Sequence, residues 1–269
     1  MKIAVCVKQV PDSCAEKKMV NGVLDRAGVD AVLNDLDEYA VEEALKIVEA
    51  HSATCEAGEG SGHTITVISM GPERATEAIR KALSMGADDA IHIVDNALAG
   101  SDALATSLVL SEAIKAGGYD LVLCGTESTD ARMSVVPAML AERLQWAQLT
   151  FANSVVVNPE ASTVAIDRVT EIGVEKMEAK FPVVISVVEK INEPRYPSFK
   201  GIMAAKKKTI ATQSLADIGV TPTQVGASAA WSSVKDALPR PPRSAGIKVE
   251  DSGNGGSALV DFLAEKRVI

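Results

Sequence analysis

Short, uninterrupted apolar runs alternate with longer amphipathic ones through roughly the first 150 residues, and that alternation constrains the fold more than any other feature of the chain. The runs Lys2–Val7, Thr64–Ser69, Ala90–Val94 and Asp120–Cys124 are rich in Val and Ile, as strands covered on both faces must be. Between them, Leu36, Ala40, Val41, Ala44, Leu45 and Val48 recur at helical spacing, with Asn34 and Asp37 placed as a capping pair. Pro72 suits a first helical turn leading into Ala75–Leu83. Ser101 can cap Leu104–Ala113, and Ala131–Leu144 makes a fourth helix. The pattern predicts an α/β fold: an open, mostly parallel, Rossmann-like sheet with helices on both faces.

From about Ser154 the texture changes. Ser154–Asn158, Thr163–Arg168, Val174–Lys180 and Val183–Val188 read as strands joined by turns, an antiparallel addition to the core. The organisation expected is a nucleotide-binding core over 1–191, a proline-stiffened loop and basic helix over 192–208, and a tail over 209–269. Those last sixty or so residues have too little apolar periodicity for a core of their own. Ile218, Val220, Val225, Trp231 and Val234 favour an arm that orders against another surface over plain disorder.

A net charge of −9 argues against nucleic acid or an anionic membrane as a general partner. Cys6, Cys14, Cys55 and Cys124 are scattered without a C-x-x-C pair, so neither a disulfide framework nor a metal site is expected. Cys6 and Cys124 read as small apolar residues, and His92 as a packed core residue. The apolar run at Met1–Lys8 is too short for a signal peptide, no stretch reaches membrane-spanning length, and a cytoplasmic location is expected. The glycine fingerprint of nicotinamide enzymes, the P-loop, the nucleophile elbow and the zincin helix are all missing.

Ligands of open parallel sheets sit at the carboxyl ends of the strands. Four loops qualify: Lys8–Asp12, the acidic helix start Asn34–Glu38, Ser69–Pro72, and Gly125–Ser134. The fourth is the best anion candidate, with hydroxyls at Thr126, Ser128, Thr129 and Ser134, the guanidinium of Arg132 and the free amides of the next helix; the alternative reading of the same residues is a plain helix cap. The acidic patch Asp35, Asp37, Glu38, Glu42 and Glu43 reads as a cap and a solvated helix face.

Residues 192–208 read Asn-Glu-Pro-Arg-Tyr-Pro-Ser-Phe-Lys-Gly-Ile-Met-Ala-Ala-Lys-Lys-Lys. Pro194 and Pro197 stiffen a turn that presents Phe199 among cations, the character of a docking loop. The string N-E-P-R-Y-x-x-x-x-x-I-M-x-A-K-K-K closely resembles the signature of electron transfer flavoprotein beta subunits. The resemblance extends to Ile3–Asp12, Asn34–Ala44, Ala82–Asp88, Asp120–Asp130, Asp217–Val220 and Arg243–Val249.

The resemblance implies an electron carrier rather than an enzyme. It implies a heterodimer whose alpha subunit holds most of one FAD, while this subunit buries a structural AMP and wraps its partner with the 209–269 arm. Electrons would come from dehydrogenases, such as the acyl-CoA dehydrogenases of fatty-acid β-oxidation, and pass to a quinone oxidoreductase. Carried over by position, the nucleotide is lined by Ala4, Val7, Lys8, Asn34, Met70, Gly71, Cys124, Gly125, Thr129, Asp130, Met133, Ser134, Val135 and Val136. Dehydrogenase docking falls to Asn192, Glu193, Pro194, Arg195, Tyr196, Phe199, Ile202 and Met203, with Arg195 and Lys200 adding electrostatic steering. Three departures stand out. Many relatives carry more polar residues at Met133–Val135, some place a flavin-side aromatic at Ser13 or Leu36, and the docking anchor is usually leucine rather than Phe199. Two rivals are a bifurcating flavoprotein with a second FAD in place of AMP, and, from another class, an adenosine-nucleotide-binding regulatory protein.

Overall fold

The computed structural model describes residues 1–20, 22–52, 62–238, 240–243, 246 and 248–269. Cys55, Pro239 and, within the tail motif, Ser244, Ala245 and Ile247 lie outside the described residues. Two compact units emerge, Met1–Lys235 and Asp236–Ile269.

In the first unit the strands are β1 (Lys2–Cys6), β2 (Gln9–Pro11), β3 (Met19–Val20), β4 (Val23–Leu24), β5 (Ala31–Leu33), β6 (Thr64–Met70), β7 (Asp89–Ile93), β8 (Leu121–Gly125), β9 (Ala147–Asn158), β10 (Thr163–Thr170), β11 (Gly173–Lys180), β12 (Val183–Val187) and β13 (Ile210–Gln213). The helices are α1 (Asp35–Ser52), α2 (Thr76–Met85), α3 (Ala103–Gly117), α4 (Val136–Leu144), α5 (Phe199–Lys207) and the short α6 (Gly226–Ala229). One nine-stranded sheet runs in the order β11-β10-β9-β12-β8-β1-β6-β7-β13. From β9 to β13 in that order every neighbouring pair is parallel; the β9–β10 and β10–β11 pairs are antiparallel.

Successive residues of β1 face opposite sides of the sheet. Ile3, Val5 and Val7 join the α1 and α2 core through Val41, Ala44, Ile79 and Leu83. Ala4 and Cys6 join the α3 and α4 core through Val109, Ile114 and Leu140. The chain moves from β1 to β6 and β7 on one side, then returns to β8 on the other side of β1. The strand order therefore reverses between β1 and β8, which opens a crevice at their carboxyl ends.

Several sequence expectations are corrected. Val183–Val188 is not part of the antiparallel addition: β12 lies between β8 and β9, parallel to both. All five of its residues are buried, the condition of an interior parallel strand, and its unbroken Val-Val-Ile-Ser-Val run was the cue. α4 starts at Val136 rather than Ala131, because Arg132 (φ 51°) and Ser134 (φ 54°) adopt left-handed backbone that a helix cannot contain. Asp102, not Ser101, caps α3 by accepting from the amide of Ala105 at 3.0 Å. The Ser101 hydroxyl instead accepts from the amide of Gly226 at 2.9 Å.

Residues 209–235, expected with the arm, lie within the first unit. β13 extends the sheet beside β7, and Ile218, Val220 and Val225 are buried in the α3 and α4 core together with Leu215. Those anchors need no partner surface, whereas Trp231 and Val234 are exposed. The second unit, taken by itself, holds α7 (Gly255–Glu265), which buries none of its residues and exposes Leu259, Val260 and Phe262. No helix among the described residues is long and apolar enough to cross a membrane.

Candidate functional site

The crevice is built where three loops meet, and Asn34 is the junction. Its amide nitrogen donates to Asp37 Oδ1 at 2.9 Å and to the Glu127 carbonyl at 3.0 Å. Its amide oxygen accepts from the Thr129 N–H at 3.0 Å. Asp37 completes the join by accepting from the Lys8 amide at 2.7 Å. The expected capping pair therefore does not cap α1; it ties the β1, α1 and β8 loops together. Burial pushes Asp37 up to about 7, against the pull of Asn34, the Lys8 amide and the Lys8 ammonium.

Gly125 makes the junction possible. A Cβ there would lie 2.7 Å from Asp37 Oδ1 and 2.8 Å from the Leu36 backbone, so α1 can approach the end of β8 only over a glycine. Ala4, Val7 and Cys124 are buried in the core, and Ala4 and Cys124 are paired with strands on both sides, so the structure does not bring these three to the surface of the crevice. Met70 and Gly71 lie half-buried at the end of β6, where the Gly71 amide bonds the Ile93 carbonyl at 3.2 Å. An open concavity lined by Asp12, Cys14, Gly28, Asp30 and Arg74 holds, of the four candidate loops, only Asp12.

Beyond Thr129 the backbone forms a cradle. Among the described residues, the amides of Asp130, Ala131, Met133, Ser134, Val135 and Val136 have no acceptor within the chain. Left-handed Ser134 is followed by right-handed Val135 (φ −105°, ψ −23°), the alternation that turns successive N–H groups toward one concavity. The N-terminus of α4 adds its dipole. The Asp130 side chain is only 1% exposed, with both oxygens occupied. Lys8 Nζ donates to Oδ1 at 2.8 Å, and Arg26 Nε and Nη2 donate to Oδ2 at 2.9 and 2.7 Å. Burial alone would raise this carboxyl; Lys8, Ser128 and Arg26 outweigh it and hold it at about 2. Glu127 accepts from Ser134 Oγ at 3.2 Å and lies 3.7 Å from Arg132. Met133 points outward and is exposed.

Sequence reading missed Arg26 and also Lys17, which donates to the Thr129 carbonyl at 3.3 Å. Both lie in a stretch without periodicity, more than one hundred residues from their partners. No local signal points to them. Among the described residues no group of His, Cys, Asp and Glu could hold a metal ion. His92 is buried in β7 with Nε2 unpartnered, and burial lowers its pKa.

The 192–208 segment has the opposite character. α5 begins at Phe199, capped by Ser198 Oγ, which accepts from the Gly201 amide at 3.0 Å. One side of α5 packs on α2: Ala205 is buried, and a Cβ on Gly201 would lie 2.5 Å from the Ser84 carbonyl. Arg80 holds the far end by donating to the Ala205 and Lys208 carbonyls, each at 2.5 Å. On the free side of α5 stand Phe199 (81% exposed), Ile202 (41%) and Met203 (42%), an apolar stripe at helical spacing, with Tyr196 (97%) exposed in the non-helical segment before it. Glu193 is exposed and Pro194 half-buried.

Two expectations change here. Glu42 and Glu43 are buried rather than solvated. Arg195 is not a free steering cation, because Glu42 and Glu49 of α1 hold it. Glu49 is lowered and Arg195 raised, each first by the hydrogen bonds between them. Lys208 is tied down as well, to the Ala87 carbonyl at 2.5 Å. Lys200, Lys206 and Lys207 remain exposed.

Comparison with known proteins bears on both regions. Residues 21–218 match the family described as "Electron transfer flavoprotein domain". The chain is 48% identical over 270 residues to "Electron transfer flavoprotein subunit beta" of Mycobacterium tuberculosis (strain ATCC 25618 / H37Rv), covering 99% of each chain. It is 36% identical to the protein of the same name from Megasphaera elsdenii, covering 100% of this chain and 98% of that one. It is 33% identical to "Caffeyl-CoA reductase-Etf complex subunit CarD" of Acetobacterium woodii, covering 100% of both.

Proposed function

From one premise, that this chain belongs to the electron transfer flavoprotein family as a beta-type, electron-carrying subunit, we propose how its two regions divide the work. With an alpha subunit it forms a heterodimer carrying one FAD, held mostly by that partner. The heterodimer accepts electrons from dehydrogenases such as acyl-CoA dehydrogenases and delivers them to a quinone oxidoreductase. This subunit binds AMP in the crevice and docks the dehydrogenase on α5, while residues 236–269 pack on the alpha subunit.

The observation that carries the reading is the α5 stripe: three apolar side chains, Phe199, Ile202 and Met203, held out on a helix that is itself packed on α2, with Tyr196 exposed just before it. A carrier must bind one protein, release it and bind another. A small apolar patch on a rigid base gives such contact without large ordering costs.

The crevice supports a nucleotide monophosphate. Its amides and the α4 dipole favour one anion, and Lys8 and Arg26 are already engaged by Asp130. Those engaged cations favour one phosphate over the pyrophosphate of a second FAD. Asn34, Lys8, Met70, Gly71 and the Thr129–Val136 backbone would hold AMP, which supplies a fixed anionic plug and takes no part in electron transfer. What this chain's own residues do is bind, orient and exclude water.

The test is to co-express the chain with its alpha subunit and follow flavin absorbance as an acyl-CoA dehydrogenase and its substrate are added. Bleaching of the flavin at catalytic dehydrogenase concentration is expected. A heterodimer that binds flavin yet is reduced only by NADH contradicts the proposed donor.

A further inference from the structure

We propose that Arg195 is a brace: Glu42 and Glu49 of α1 clamp it so that the Tyr196–Met203 stripe is presented in a fixed pose, and its role is positioning rather than electrostatic steering. The inference rests on the docking reading above and adds residues outside the docking surface. Glu42 and Glu49 stand seven residues apart and so share one face of α1. Glu42 Oε2 accepts from the Arg195 amide at 3.1 Å and from Nε at 2.8 Å, and Oε1 accepts from Nη2 at 3.0 Å. Glu49 Oε1 and Oε2 accept from Nη1 at 2.6 Å and Nη2 at 3.0 Å. Every nitrogen of the guanidinium is engaged, and so is the backbone of the same residue.

The next fixed point upstream is Asn192, whose side chain donates to the Tyr39 carbonyl at 3.1 Å and Glu43 Oε2 at 3.0 Å. Downstream, the Ser198 cap and the packing of Gly201 and Ala205 on α2 fix the start of α5. Tyr196 and Pro197 thus bridge two anchored points, one on α1 and one on α2. A planar guanidinium can satisfy two carboxylates in fixed geometry, which a lysine cannot. Immobilising the segment before docking removes an ordering cost otherwise met at each encounter.

Steering and bracing predict opposite results when the carboxylates are neutralised, because Glu42→Gln with Glu49→Gln keeps the Arg195 charge and unmasks it. The experiment compares the wild-type heterodimer with this double variant, Arg195→Lys and Phe199→Ala. It measures KM for the carrier and kcat with an acyl-CoA dehydrogenase at low and high salt, and hydrogen exchange of residues 192–199. The brace predicts exchange at least tenfold faster in the double variant, KM raised at least fivefold at both salts, and kcat within twofold. Arg195→Lys, which keeps the charge but cannot span both carboxylates, should raise KM as well. Unchanged exchange, or a KM that falls at low salt in the double variant, overturns the brace. If Phe199→Ala keeps the wild-type KM, the docking reading fails instead, and exchange alone decides whether Arg195 braces the segment.

Discussion

The crevice and the docking segment both lean on α1, yet they use charge in opposite ways. At the N-terminal end of α1, titratable groups are buried inward: Asp37 and Asp130 are covered, each oxygen has a hydrogen-bond partner, and the β1, α1 and β8 loops are tied together. Further along, Glu42 and Glu49 hold a segment whose useful side chains are apolar and point outward. In the proposal the first arrangement would seat a small anion. The second would meet a protein. Exposure alone is a weak argument for a docking site; the proposal rests on exposure beside an anchored backbone.

The largest effect should come from breaking the crevice junction. Asn34→Ala removes three hydrogen bonds and leaves the Thr129 amide and the Asp37 carboxylate without that partner. Each stranded buried group costs roughly 1–3 kcal/mol, with less than full additivity. The thermal midpoint of the heterodimer should fall by several degrees and AMP should be lost. A variant with wild-type stability would show that the junction is not what holds the three loops.

A smaller effect should appear with pH. The folded chain keeps the Asp37 proton to about 7, while the unfolded chain releases it near 3.8. The Asp37 contribution is therefore full below about 3.8 and is lost as pH rises through about 7, on the order of a few kcal/mol. Asp130 runs the other way: its contribution is present above about 3.8 and is lost as pH falls through about 2. Thermal scans from pH 5 to 8 should show stability falling, and Asp37→Asn should flatten that slope. An equal slope in the variant would assign the dependence to another group.

These outcomes also show what the sequence could reveal. The strands and helices of the parallel core were legible because buried strands read as Val and Ile runs and amphipathic helices keep their spacing. β12 was assigned to the wrong part of the sheet because periodicity reports burial, not the neighbouring strand. β13 was missed because four residues at a sheet edge carry no pattern. The crevice loops were legible from strand-end logic, whereas Arg26 on Asp130 and Arg195 on Glu42 and Glu49 were not. A charge pair separated by a hundred residues leaves no trace in local spacing.

The smallest change in stability should accompany a large change in function at the docking segment. Phe199→Ala removes a side chain that touches solvent, so the thermal midpoint and the FAD and AMP contents should hold. Burying a phenyl group in a partner pocket is worth roughly 1.5–3 kcal/mol, so reduction at low carrier concentration should drop about tenfold or more. Steady-state reduction across carrier concentrations checks this. Loss of flavin from the variant would place Phe199 on the structural side of the comparison.

The central claim, a nucleotide monophosphate held by the Asp130–Val136 amides beside a single flavin, is tested most directly by quantifying released nucleotides from the purified heterodimer and its Ser134→Asp variant. The account predicts one FAD and one AMP per wild-type heterodimer. In the variant, where a new carboxylate would face the phosphate, AMP should be lost while FAD remains. Two flavins and no AMP in the wild type, or full AMP retention in the variant, would contradict it.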